Sequence, residues 1–189
     1  MFLQKNYRNL SGMIGIVLIC LSQLSCTSLP DDIKPVDNFQ LDRYLGSWYE
    51  VARLNHSFEI GLSHVTAEYA LRDDGGVNVI NKGYSADKKQ WSTAEGKAYF
   101  VGDSDIAHLK VSFFGPFYGA YVIFELDASN YEYAFVTSYN REFLWLLSRT
   151  PTVSDDIMQR FKVLTRQYGF DEQAIIYVNH DELEKPPRN

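Results

Sequence analysis

Between residues 46 and 149 the chain reads as a succession of short runs of strand-forming residues, each closed by a turn signal. This spacing constrains the fold more than any other feature. Val65, Ala67, Tyr69 and Leu71 alternate with His64, Thr66 and Glu68, and Asp73-Asp74-Gly75-Gly76 then supplies a hairpin turn. Leu109, Val111 and Phe113 alternate with His108, Lys110 and Ser112 until Gly115-Pro116 ends the run. The same reading predicts strands over 47–54, 63–71, 77–84, 90–100, 107–114, 117–126, 131–137 and 142–148. Eight strands joined by short links form an antiparallel up-and-down meander, and closing it into a β-barrel removes both exposed edges. The abundant aromatics (13 Tyr, 12 Phe, 3 Trp) suit such strands.

Pro151 stops the pattern and a helix follows. Thr152 with Asp155 three residues on resembles a capping box. Ile157, Phe161, Leu164 and Tyr168 are spaced for one helical face, and Gly169 suits the C-terminal cap. That apolar stripe needs a partner, and the outer wall of the barrel is the nearest. Ala174 to Val178 predicts a short ninth strand, and 181–189 a loose tail. The expected fold is therefore all-β, an eight-stranded barrel over 37–180 with a C-terminal α-helix packed outside it.

The first 25 residues stand apart. Lys5 and Arg8 precede an apolar run of 9 residues, Met13 to Leu21. This is too short to span a bilayer, which takes about 20 apolar residues, and it reads as a secretory signal. An uncleaved N-terminal anchor is the alternative. The only cysteines are Cys20, inside the run, and Cys26, just past it. Cys26 is similar to the lipid-attachment cysteine of bacterial lipoproteins, although Gln23 stands where those proteins usually carry Leu. Thr27 follows, where Asp would resemble an inner-membrane retention signal, so the outer membrane is the expected site. Several acyl chains on one residue anchor stably where a single chain does not. Residues 26–36, with Pro30 and Pro35, then read as a lipidated N-terminus and tether.

Cleavage before Cys26 would leave 164 residues, with no cysteine free to pair and a formal charge of −8. An acidic surface without a basic patch argues against nucleic acid and against docking on anionic lipid. An eight-stranded barrel can be filled by its own side chains or can hold one small ligand. Composition leaves both open. Burying a chain of about 17 methylenes is worth at most about 14 kcal/mol, enough for micromolar binding even if association costs take half of it.

Gly46-Ser47-Trp48-Tyr49-Glu50 resembles the G-x-W opening of the lipocalins. Thr137-Ser138-Tyr139 stands where that family often has T-D-Y, with the Asp replaced. Longer stretches, Tyr44 to Arg53, Leu71 to Gly76, Lys110 to Gly119 and Leu144 to Pro151, resemble the bacterial outer-membrane branch of the family, which is related to apolipoprotein D. The resemblance implies that Gly46, Trp48 and Arg149 form a barrel floor, the arginine lying over the indole, an arrangement also favourable as a cation–π pair. It further implies a fatty acid or lysophospholipid as ligand, a role in envelope maintenance under stress, and for some members a homodimer. It implies no cofactor.

If Trp48 points inward, parity places Glu50, Ala52 and Leu54 on the same side. Glu50 then reads as a buried hydrogen-bond partner. Leu54 then reads as part of the ligand-binding wall, and parity from Arg149 adds Trp145 to it. Phe113, Tyr118, Tyr121 and Tyr133 are further candidates for the ligand-binding wall, with Phe58 as part of a lid and Tyr84 at the rim. Arg53 is the nearest basic candidate for a lipid phosphate, though a solvated position is the plainer reading. Two rival functions follow from other readings. An enzyme would need a nucleophile or an acid–base pair. His56 and His64, flanking the first hairpin loop, offer no third metal ligand and read as solvent-facing. A scaffold lipoprotein would have a filled barrel, so an open apolar cavity separates it from a carrier.

Overall fold

The alternating runs become eight strands that close on themselves: β1 (Gly46–Leu54), β2 (Leu62–Leu71), β3 (Val77–Ser85), β4 (Gln90–Phe100), β5 (His108–Ser112), β6 (Gly119–Leu126), β7 (Tyr133–Thr137) and β8 (Leu144–Ser148). The computed structural model describes residues 29–181, so Cys26, the segment 1–25 and the end of the tail lie outside the described residues. Each strand pairs antiparallel with the next, and β1 pairs with both β2 and β8, which shuts the barrel.

Alternate side chains build two cores. Trp48, Tyr69, Val79, Leu109, Val136 and Leu147 belong to the inner one. Phe124, Phe135 and Leu146 belong to the other, which helix α2 (Asp155–Gln167) covers with Phe161 and Leu164. The predicted helical stripe therefore packs on the barrel wall as expected, and the Phe161 ring meets Phe135 edge-on at 5.1 Å. The cap differs from expectation. Ser154, not Thr152, caps α2, its hydroxyl accepting from the Ile157 amide at 3.4 Å. The helix begins at Asp155, which leaves Thr152 two residues before the cap position. Gly169, at φ +70°, turns the chain out of the helix. A short strand β9 (Ile175–Tyr177) pairs with Ala52–Leu54, beyond the part of β1 that pairs with β2.

The two ends of the barrel differ. At one end lie the short helix α1 (Leu41–Tyr44), Arg149 and the links 72–76, 101–107 and 127–132. At the other lie the loops 55–61, 86–89, 113–118 and 138–143. The described part of the expected tether does not hang free. Ile33 is buried in the helix-side core, and Val36 exchanges backbone hydrogen bonds with Ile123 and Ala107. These two apolar residues have wall to pack against, which the polar and proline content around them concealed.

Candidate functional site

The closed end is built around Trp48. Its indole N–H donates to the Tyr44 carbonyl at 2.8 Å, and the Arg149 guanidinium lies 3.9 Å from the centre of its ring. The same guanidinium donates to the carbonyls of Ser47 (2.8 Å), Arg43 (2.8 Å), Leu45 (3.0 Å) and Tyr131 (3.3 Å). One side chain thus ties together α1, the start of β1 and the β6–β7 link. Gly46 has φ +90°, a conformation that favours glycine, and this accounts physically for the glycine of the G-x-W motif.

Above this floor the barrel holds a cavity of about 70 Å³ that opens at the mouth. The space is narrow, and Val65, Val77, Val79, Leu109, Val111 and Leu147 make much of its wall. Its lower end carries three tyrosines. The Tyr121 hydroxyl lies 2.7 Å from that of Tyr44 and 2.8 Å from that of Tyr69. Burial raises the pKa of all three, so they stay neutral. Three hydroxyls bring three protons to two hydrogen bonds, and the third proton remains available to an oxygen in the cavity.

Of the residues expected on the wall, Phe58, Phe113, Tyr121 and Trp145 line the cavity. Leu54, Tyr84, Tyr118 and Tyr133 do not. A register shift against β8 between Glu50 and Ala52 turns the remainder of β1 over, so Leu54 is buried on the helix side. Tyr133 packs beside Phe135 on that same outer face, because the register Val136–Trp145 sends Ala134 and Val136 inward. Tyr84 follows Val77, Val79 and Asn81 at the opposite parity and meets Trp91 at 5.7 Å instead. Tyr118 is likewise out of phase with Tyr121, and its ring lies against Tyr99 and the Lys110 ammonium.

The register shift brings a polar cluster into the upper wall. Glu50 and Glu59 line the cavity, and Arg53, expected in solvent, is 1% exposed. Arg53 donates to the Glu50 carboxylate at 2.7 Å and to the Glu59 carbonyl at 2.8 Å. The Trp145 indole donates to the Glu59 carboxylate at 3.3 Å. His56 is also buried rather than solvent-facing, its ring stacked against Phe58 at 4.5 Å and Phe143 at 5.6 Å. His64 sits elsewhere, beside Ser63 and His180. Burial, then the charge of Glu59, pushes the Glu50 carboxyl up to about 8 against the pull of Arg53. Burial, then Arg53, pushes the His56 imidazole down to about 4. Among the described residues, Arg53 Nε and both His56 ring nitrogens make no hydrogen bond, although His56 Nδ1 stands 3.2 Å and Arg53 Nε 3.9 Å from the Glu59 carboxylate. Sequence reasoning placed Glu50 as a buried hydrogen-bond partner, as found, but missed Arg53, His56 and Glu59, which left a signal: Arg53 interrupts the apolar run Val51-Ala52-Leu54, and His56 and Glu59 follow at three-residue steps. Among the described residues no group of three or more His, Cys, Asp or Glu is placed to hold a metal ion.

A model of the lipocalin-like domain matches residues 39–180. The chain is 58% identical over 168 residues to the outer membrane lipoprotein Blc of Vibrio cholerae, covering 88% of this chain and 98% of that protein. The chain is a lipocalin. It is also 53% identical over 149 residues to the Blc lipoprotein of Escherichia coli K12, covering 79% of this lipocalin and 84% of that one. Apolipoprotein D of Mus musculus is 30% identical over 141 residues, 71% of this chain and 74% of its own. Among solved structures, insecticyanin from Manduca sexta superposes with a TM-score of 0.64 at 20% identity, over 82% of this chain and 87% of that one. That likeness concerns the barrel alone.

Proposed function

We propose that this lipocalin binds and carries a hydrophobic ligand with a single acyl chain, a fatty acid or a lysophospholipid, at the bacterial outer membrane. The observation that carries the reading is the narrow apolar cavity, closed at the Trp48 floor and open at one end. A barrel filled by its own side chains would have favoured a scaffold. The relatives named outer membrane lipoproteins support the location. In this reading residues 1–25 are removed, Cys26 becomes the acylated N-terminus, and no step is catalytic. Native mass spectrometry of the mature protein extracted from membranes tests it. A co-purifying fatty acid or lysophospholipid is the expected result. A protein that is empty on extraction and takes up no labelled fatty acid would sink the reading. Cys26→Ser should yield an uncleaved or soluble form.

A further inference from the structure

We infer that the open mouth of the barrel docks on the lipid surface that holds the anchor, its apolar rim in contact with the bilayer and its closed end turned away. The inference rests on the lipid-anchor reading and goes beyond it, because an anchor alone leaves orientation free.

Two independent observations meet at the mouth. The first is the path of the chain. Asp32 pairs with Arg141, at 2.5 Å, in the 138–143 loop at the mouth. From there the segment runs down the wall, meeting Ile123 and Ala107 at Val36, and reaches the closed end at Phe39, whose amide donates to the Asp105 carbonyl. The chain therefore enters the described structure at the mouth, although α1 lies at the opposite end. Asp32 lies six positions after Cys26, a span of at most about 22 Å even when fully extended. An acyl anchor at Cys26 cannot lie far from the mouth.

The second is the rim itself. Phe58, Ile60, Phe114, Phe117 and Tyr139 are exposed on three of the four mouth loops, Phe114 by 81% and Phe117 by 76%. Exposed aromatics clustered round a cavity entrance mark an interaction surface rather than scattered surface residues. The closed end is instead net acidic, because Asp73, Asp74, Asp103, Asp105 and Asp127 in its links outnumber Arg43, Arg72 and Arg149. Charge of that sign is repelled by anionic lipid, so both ends favour the same orientation.

The experiment uses the lipidated protein reconstituted in phosphatidylcholine vesicles, with a nitroxide attached in turn at Phe117→Cys on the rim and Ser104→Cys at the closed end. Relaxation by oxygen, which concentrates in lipid, is compared with relaxation by a water-soluble nickel chelate. The expected result is a several-fold higher oxygen-to-nickel ratio at 117 than at 104. Equal ratios, or a higher ratio at 104, would overturn the orientation. Protection at 117 that grows with protein-to-lipid ratio and brings spin–spin broadening would overturn it too, placing a second copy on the rim. Protein without either substitution is labelled in parallel. A free thiol at Cys26 would take the label there, so failure of the anchor reading is seen separately from failure of the orientation.

Discussion

Glu50 and Arg53 stand three residues apart on one strand, yet both turn into the barrel, where a 2.7 Å hydrogen bond joins them. A regular strand would send them to opposite faces. The register shift between Glu50 and Ala52 removes that difference and converts a wall of hydrocarbon into one with a charged seam.

The seam makes stability depend on pH. The Glu50 carboxyl, raised from 4.5 to about 8, keeps in the native state a proton that the unfolded chain has released. Its contribution is complete below about pH 4.5 and is lost as pH rises through about 8. Glu59, also raised by burial, acts in the same sense. His56, lowered from 6.5 to about 4, acts in the opposite sense, its contribution present above 6.5 and lost as pH falls through 4. The carboxyls therefore stand clear between about pH 6.5 and 8. The thermal midpoint should fall over that window, and in Glu50→Gln the fall should be markedly shallower. An unchanged slope in the variant would remove Glu50 as the cause.

Arg149 serves four carbonyls and one indole ring at once. Arg149→Ala should lower stability by about 3 kcal/mol in urea unfolding, given about 0.5–1.5 kcal/mol for each hydrogen bond and a similar cation–π contribution. Arg149→Lys should recover less than half of the loss, because an ammonium lacks the flat fork that reaches separate carbonyls. Full recovery by lysine would mean that charge alone matters here.

Ala98 faces the cavity from β4 and is 3% exposed. In Ala98→Trp the indole would occupy space that a ligand chain needs. Fatty acid affinity should drop at least tenfold while the circular dichroism of the barrel persists, at a stability cost of about 1–3 kcal/mol. Undiminished affinity in a folded variant would place the ligand outside the barrel.

Phe161 is fully buried between α2 and the barrel wall, in the core that does not line the cavity. Phe161→Ala should cost about 3–5 kcal/mol in denaturant unfolding. Ligand affinity of the remaining folded protein should be unchanged. A loss of affinity matching the loss of stability would show that the helix shapes the cavity.

Much of the barrel was legible because alternation and turn chemistry are local. Val65 to Leu71 and Leu109 to Phe113 announce their strands within a few residues, and Gly169 ends its helix where expected. The inner face was harder to read, since it depends on register, which is set between strands. Tyr133 and Tyr84 were placed by residue type and lie one position out of phase with the wall. For Leu54 the phase was right as far as Glu50 and was then reversed by the shift in β1. Buried Arg53 and His56 have no local signature stronger than a charge in an apolar run, because what buries them is the fold of the 55–61 loop over the mouth.

The plug of Trp48 and Arg149 also governs traffic. A tube open at both ends could pass molecules along its length, but this one is a dead end. An occupant has to back out by the route it took in, and a newcomer has to wait for it. Replacement of one ligand by another would then proceed at the departure rate of the first, however concentrated the second. A competitor could win by being held longer, never by pushing.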